Sequence, residues 1–350
     1  MKNKRFAALA LAALLLAALL AGCTFKTPAS VGKIGDVEIP AGLYLLLQYN
    51  VYGRAEGLTT EEDVLKAALT VDGEDISGQD YVSRETLKAV ENYAAVEILF
   101  AELGGSLTEE ELASADGYAE TLWAGSQEEF AQNGIGLASL RLWMENSARA
   151  GKLLEMVYGK DGEQPVADTE LTAFIDENYA RGSYLALPLL DYSTYTVLDE
   201  EGDSQMKEIA DEIKAGLLAG EPMAALAAEY LPKAYELLGQ GFDAANAEAA
   251  VGSLLAPASQ LAQYGEQAQS DLLSAKPGDV VVVDAGINRL VCQMQEVLGD
   301  GVTLEDLRAS ALSEMKQEEL DQALAEIGEG QPHALDQGAM DRYSPKNIKP

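Results

Sequence analysis

Histidine and cysteine are nearly missing from this sequence. One histidine, His333, stands in the polar stretch G-Q-P-H-A-L, and the two cysteines are Cys23 and Cys292. A Ser-His-Asp or Cys-His mechanism would have to use that one imidazole. A zinc site normally draws on several His or Cys ligands, and none cluster, so no metal or cofactor is expected. G-x-S-x-G, the P-loop and G-x-G-x-x-G are also absent. Carboxylates are plentiful, but nothing singles out two of them as a glycosidase pair. Basic charge is scarce too: 24 Lys and Arg against 58 Asp and Glu give a net charge of −34. That excludes nucleic acid as a partner, because such binding rests on cationic contacts to phosphate. It favours solubility and basic clients. Long apolar runs are absent except for one at the start.

That run is informative. Lys2, Lys4 and Arg5 precede an unbroken stretch of Phe, Ala and Leu from Phe6 to Leu20. A bilayer-spanning helix needs roughly 20 apolar residues, so the stretch is short. A basic start, a short apolar core and a small-residue end describe a secretory signal over residues 1–22. Leu20-Ala21-Gly22-Cys23 resembles the bacterial lipobox. That resemblance implies a diacylglycerol on the Cys23 thiol and cleavage just before it. Acyl chains at one residue anchor a protein through roughly 0.8 kcal/mol per buried CH₂. The expectation is a lipid-anchored protein on the extracytoplasmic face of a cell membrane. Cys292 then has no partner for a disulfide and reads as a small apolar residue in a buried strand.

Residues 23–30 read as a tether. V-G-K-I-G-D-V-E-I-P at 31–40 predicts two short strands around a Gly35-Asp36 turn. From Ala41 the spacing of Leu43, Leu46, Leu47 and Val51 predicts a helix. Further helices are expected over Ser83–Leu103, after the capping-box pair Thr108 and Glu111, over Gln127–Ala131, over Leu137–Val157, and over Thr169–Tyr179 with Asp168 as N-cap. The period changes at Ser183, where Y-L-A-L-P-L-L-D-Y reads as a strand. Helices over Ser204–Ala219 and Glu221–Leu231 follow, then an ambiguous stretch at 239–265. Asp271–Ala275 reads as a short helix or turn. Strands over Val280–Val283 and Arg289–Val297, joined at Gly286, come next. Thr303–Ile327 is one more amphipathic helix, and 328–350 is a polar tail. No internal repeat is evident.

This order resembles the secreted foldases of the PrsA and SurA type. V-G-K-I-G-D-V-E-I-P-A-G-L-Y is similar to the family's opening motif, and A-R-G-S-Y-L-A-L-P to the first parvulin strand. A-G-E-P-M-A-A-L-A-A-E-Y and L-L-S-A-K-P-G-D-V-V-V-V-D-A-G-I-N-R-L-V are similar to the parvulin middle and end. The resemblance implies an α+β chain. Its mostly helical chaperone domain would be 31–180, closed by a helix at 303–327, with a small parvulin-like domain at 183–298 inserted between them. It implies unfolded exported polypeptides as partners. In the family the first parvulin strand carries a histidine, and a second opens the last strand after a Gly. Tyr184 and Asn288 or Arg289 stand at those places here, so the parvulin-like domain is expected to lack isomerase chemistry. Tyr44, Tyr49, Tyr52, Tyr93 and Trp143 are candidates to line a client-binding cleft, and equally serve as ordinary core aromatics. Three readings follow: a tethered holdase without catalysis, a peptidyl-prolyl cis-trans isomerase with a variant site, or an envelope scaffold lipoprotein.

Overall fold

The computed structural model describes residues 29–191 and 193–349. Cys23 and the leader lie outside the described residues. The fold is α+β: long helices with small antiparallel sheets. The chain divides into two compact units, one formed by residues up to Leu153 and from Glu319 onward, the other by Leu154–Glu318.

The first unit opens with β1 (Ser30–Ile34) and β2 (Val37–Pro40), paired antiparallel about the turn at Gly35, whose φ of 56° suits glycine. α1 (Ala41–Glu56) follows directly. Its Leu43, Leu46, Leu47 and Val51 are all buried, so this helix is covered on more than one side. A hairpin that the sequence reading did not place, β3 (Ala68–Val71) with β4 (Glu74–Ser77), leads into α2 (Gly78–Glu102). α3 (Glu109–Gln132) starts on the predicted capping box, with both Thr108–Glu111 bonds formed. The separate helix expected at 127–131 is the end of α3 beyond a kink at Ser126. α4 (Leu137–Tyr158) carries Leu140 and Leu153 into the core.

The second unit begins in the last turn of α4. α5 (Asp168–Asn178) has Ala167 as its N-cap, with no side-chain cap. Asp168 does not cap. Its carboxylate instead accepts from the buried Arg308 guanidinium, a charge-assisted bond. β5 (Tyr179–Pro188) runs into β6 (Leu190–Asp191), which pairs with β7 (Thr196–Val197). α6 (Glu200–Leu218), capped by Asp199, and α7 (Met223–Glu236) follow. The ambiguous stretch contains β8 (Gly252–Pro257) and α8 (Ala258–Leu261). α9 (Glu266–Ser274), β9 (Val280–Ala285) and β10 (Asn288–Gln295) complete the unit's sheet layer.

The sheet order is β8-β5-β10-β9, every pair antiparallel. Side chains alternate between its faces. Leu185, Leu187 and Val291 pack with Met206, Ile209, Ile213, Leu226 and Leu231 of α6 and α7. Leu254, Leu290, Cys292 and Met294 pack with Leu261 and Leu272 on the other face. Cys292 is buried and unpaired, as expected.

α10 (Leu304–Gly330) belongs to the second unit up to Glu318 and to the first from there on. In the second unit its Arg308 meets Asp168, and its Ser310 meets the Tyr179 hydroxyl at 2.9 Å. Residues 328–350 are not merely a polar tail. β11 (His333–Leu335) adds to β1, α11 (Gln337–Arg342) follows, and Ala339 and Tyr343 are buried in the first unit's core. His333 accordingly meets the Glu91 carboxylate at 2.9 Å.

Candidate functional site

A cavity of about 980 Å³ opens in the first unit. α1 supplies one wall with Ala41, Gly42, Leu45, Gln48 and Tyr49. Gln132, Asn133 and Gly134, at the end of α3, supply another. The C-terminal residues Arg342–Ser344 and Asn347–Lys349 close the third side. Local chemistry holds these walls in place. Gly42 lets α1 approach Ser139, whose hydroxyl a Cβ would strike. Gly134 adopts φ 73°, which glycine tolerates at the end of a helix. Asn133 holds the segment at Lys349 from both directions: its Nδ2 donates to the Lys349 carbonyl at 2.9 Å, and the Lys349 N–H donates to its Oδ1 at 2.8 Å.

Of the five aromatic candidates, only Tyr49 lines this cavity. Its hydroxyl donates to Glu129, and its ring meets Phe130 edge-on at 6.0 Å. Tyr44 is buried against Tyr343, with ring centroids 6.4 Å apart. Burial pushes its hydroxyl pKa up, and the adjacent Gln48 amide opposes part of that shift without a well-formed hydrogen bond. Tyr52 is buried in a separate cluster with Val64, Leu69 and Tyr81. Tyr93 is buried, and burial together with the Glu97 charge raises its pKa to about 12. Trp143 is half-buried between two core clusters. Four of the five therefore do packing work. The residues that line the cavity beside Tyr49 are a helix-centre glutamine, an asparagine after a helix, and the C-terminal end. Nothing local in the sequence marked the Asn133-Gly134 pair as a cavity wall.

In the second unit, Tyr184, Asn288 and Arg289 do not converge. Tyr184 lies opposite Cys292 and Gly252, and its ring covers the Gly252 backbone. Asn288 lies opposite Pro188, four rungs along the same strand pair, which is roughly 13 Å at about 3.3 Å per residue. Arg289, one residue on, points to the opposite face. Its Nε donates to Asp284 at 2.7 Å, and its Nη2 donates to Asp203 and Asp284 at 3.1 Å each. Burial opposes the charge, but Asp284 and Asp203 outweigh it and hold the guanidinium pKa above its ordinary value. Arg289 and Lys207 flank a smaller cavity of about 580 Å³ beside β9. Among the described residues, no group of three or more His, Cys, Asp or Glu is arranged to hold a metal, and no helix is long and apolar enough to cross a membrane.

No family model matches the chain, and no curated protein matches it. Among solved structures, the chain is similar to the foldase protein PrsA of Streptococcus pneumoniae at 13% identity, with 80% of this chain and 99% of that one covered and a TM-score of 0.39. PrsA of Bacillus subtilis matches at 16% identity over 79% of this chain and 93% of that one, with a TM-score of 0.27. The foldase protein PrsA of Lactococcus lactis matches at 13% identity over 91% and 93%, with a TM-score of 0.34. Values this low transfer neither fold nor activity to this chain.

Proposed function

We propose that the chain is a lipid-anchored holdase on the extracytoplasmic face of a bacterial membrane, assisting the folding of exported polypeptides, with a parvulin-like unit that does no isomerase chemistry. The observation that carries this reading is the cavity of the first unit. Its size suits a short stretch of chain or a ligand of comparable bulk. Among the described residues its walls mix apolar side chains with amides and two cations, Arg342 and Lys349, and include no side-chain carboxylate. Unfolded chains expose apolar segments that aggregate unless shielded. On α3, Tyr118 and Leu122 stand exposed one turn apart and add apolar surface to the same unit.

The inactive reading of the second unit rests on commitment of its polar groups. Turning a prolyl bond crosses a barrier of roughly 18–20 kcal/mol, and catalysis needs groups that favour the twisted amide over the planar one. Tyr184 packs over Gly252, Arg289 is tied to two carboxylates on the other face, and the chain's one histidine belongs to the first unit. Anchoring rests on the Leu20-Ala21-Gly22-Cys23 sequence alone.

Three measurements test the reading. The full chain should lower light scattering from an aggregating unfolded client; unchanged scattering removes the holdase. It should leave a proline-limited refolding phase, tens to hundreds of seconds long, at its spontaneous rate. An acceleration lost in Tyr184→Ala would make the second unit a variant isomerase. Fatty-acid labelling of cells should mark the wild type and not Cys23→Ala, and equal labelling would remove the anchor.

A further inference from the structure

β9 is an edge strand: β10 pairs with one side of it, and among the described residues no strand pairs with the other. Edges of this kind are usually blunted by a lysine, a proline or a bulge, because open backbone groups recruit other chains. V-V-V-V-D-A carries none of these, and its one charge, Asp284, is tied to Arg289. The register fixes which groups stay open. The Met294 N–H donates to the Asp279 carbonyl at 2.9 Å, and bonded positions recur at every second residue of an antiparallel pair. Val281, Val283 and Ala285 therefore use their N–H and C=O groups on β10. Val280, Val282 and Asp284 turn theirs to the open side, where no hydrogen bond from the described residues reaches them.

The cavity of about 580 Å³ lies along this edge. Val282 and Val283 both line it, yet consecutive side chains of a strand point to opposite faces. Val282 packs on the α6 side of the sheet and Val283 on the α9 side. A space that touches both wraps around the free edge of the strand. Its outer walls agree: Lys207 comes from α6, and Glu266, Ala268 and Asp271 come from α9. The charges of those walls select an occupant. Lys207 is paired with Asp203 at 2.7 Å, and Arg289 with Asp203 and Asp284. Asp271 accepts from the Gln267 amide, and neither it nor Glu266 has a cation beside it among the described residues. Lysine or arginine on an incoming strand complements that wall. A second copy of the chain does not, since each copy carries a net charge of −34.

We infer that the open edge of β9 accepts an extended, basic polypeptide segment as a fifth strand of the sheet. The backbone groups of Val282 and Asp284 pair with the backbone of the segment, and its basic side chains on the α9 side meet Glu266 and Asp271. This deepens the holdase reading and rests on it for the source of the segment, an unfolded exported client. Strand addition reads backbone and charge rather than proline, so it needs no isomerase chemistry from Tyr184 or Arg289.

The test uses the full chain and a fluorescein-labelled peptide, Ser-Val-Lys-Val-Lys-Val-Ser, followed by anisotropy. Its alternation puts both lysines on one face of the strand and the valines on the other. N-methylation, one residue at a time, removes single N–H donors. It should weaken binding about fivefold at every second position, those that face β9, and little at the positions between, since losing one net hydrogen bond has roughly that effect. Val282→Pro removes an outward N–H and leaves the β10 ladder whole, so it should leave the second unit folded and weaken the peptide about fivefold. The N-methyl series needs no variant and decides the matter if Val282→Pro does not fold. Glu266→Gln with Asp271→Asn tests the wall without touching the strand: the preference for the Lys peptide over a Glu counterpart should shrink about threefold. The inference fails if the N-methyl losses show no period of two, if folded Val282→Pro binds like wild type, or if the double variant keeps the full lysine preference. It also fails if the wild type sediments as a dimer that Val282→Pro dissociates, because a second copy then fills the edge. Client aggregation is followed with the same preparations. Suppression without the period of two would leave the holdase standing and remove this edge from it. The period of two without suppression would leave the edge site standing and remove the holdase.

Discussion

Arg289 offers a quantitative check on the reading of the second unit. The guanidinium is 4% exposed, while its partners Asp203 and Asp284 are 36% and 61% exposed. This asymmetry sets the order of mutational costs. Arg289→Met removes three charge-assisted bonds, but both freed carboxylates can take up water. It also removes the buried Nη1, which has no partner. The net loss should be small, about 1 kcal/mol, once solvent screening of the exposed partners is allowed for. Asp284→Ala leaves the guanidinium buried with only Asp203. Breaking a fully buried pair this way costs about 3–5 kcal/mol, and the exposure of Asp284 reduces that to about 2 kcal/mol. The double variant should return to about 1 kcal/mol, because the stranded charge is gone. Hydrogen exchange on peptides spanning 280–295 reads these free energies locally and avoids assuming one transition for a two-unit chain. For a unit of this size, each kcal/mol should shift its melting temperature by about 2–4 °C. The reasoning is refuted if the double variant loses the sum of the two single losses, or if Arg289→Met is the worst of the three. Either result would mean that the cation itself, not its satisfaction, supports the fold.

Other outcomes follow from single contacts. Burial raises the Cys292 thiol pKa to about 12, so in a Cys23→Ser background the folded chain should resist thiol reagents at pH 8 and react fully on unfolding; rapid native labelling would contradict its place in the sheet. The Ser193 hydroxyl and N–H, together with Thr194 and Gln240, lower the Asp191 pKa to about 2. A carboxylate with a depressed folded-state pKa stabilises above its unfolded value, about pH 4, and that stability is lost as pH falls toward about 2. Acid unfolding of the second unit should therefore be less steep in Asp191→Asn, and an unchanged acid limb would show that the cluster does not form. Gly32 has φ 117°, and a Cβ there would strike the Ala334 carbonyl. Gly32→Ala should cost about 1–3 kcal/mol and selectively expose the amides of 333–335 to exchange. Equal protection in both proteins would count against the β1–β11 pairing.

Much of the fold could be read from local chemistry. Helical spacing of leucines marked α1, a reciprocal Thr-Glu pair marked the start of α3, and Gly286 with its apolar flanks marked the β9–β10 reversal, because those signals act over a few residues. The candidate site could not be read this way. Its walls come from residues about 42–49, 132–134 and 342–349, and no periodicity links segments so far apart. β8 escaped notice for a related reason. G-S-L-L-A-P is a short edge strand with only two large apolar residues, specified mainly by its pairing with β5. Sequence alone could not sort the aromatic candidates, because burial and binding favour the same residue type. Asp168 and Arg308 illustrate the limit: sequence proximity suggested a helix cap, while a cation 140 residues away in the chain took the carboxylate. What the sequence by itself determined is the α+β class of the chain, the positions of most helices, and the lack of any histidine but His333. Only the tertiary structure decided that Tyr184 and Arg289 stand on opposite faces of one sheet, that residues 333–349 complete the first unit, and that Gln48 is buried, because each depends on which distant segments meet.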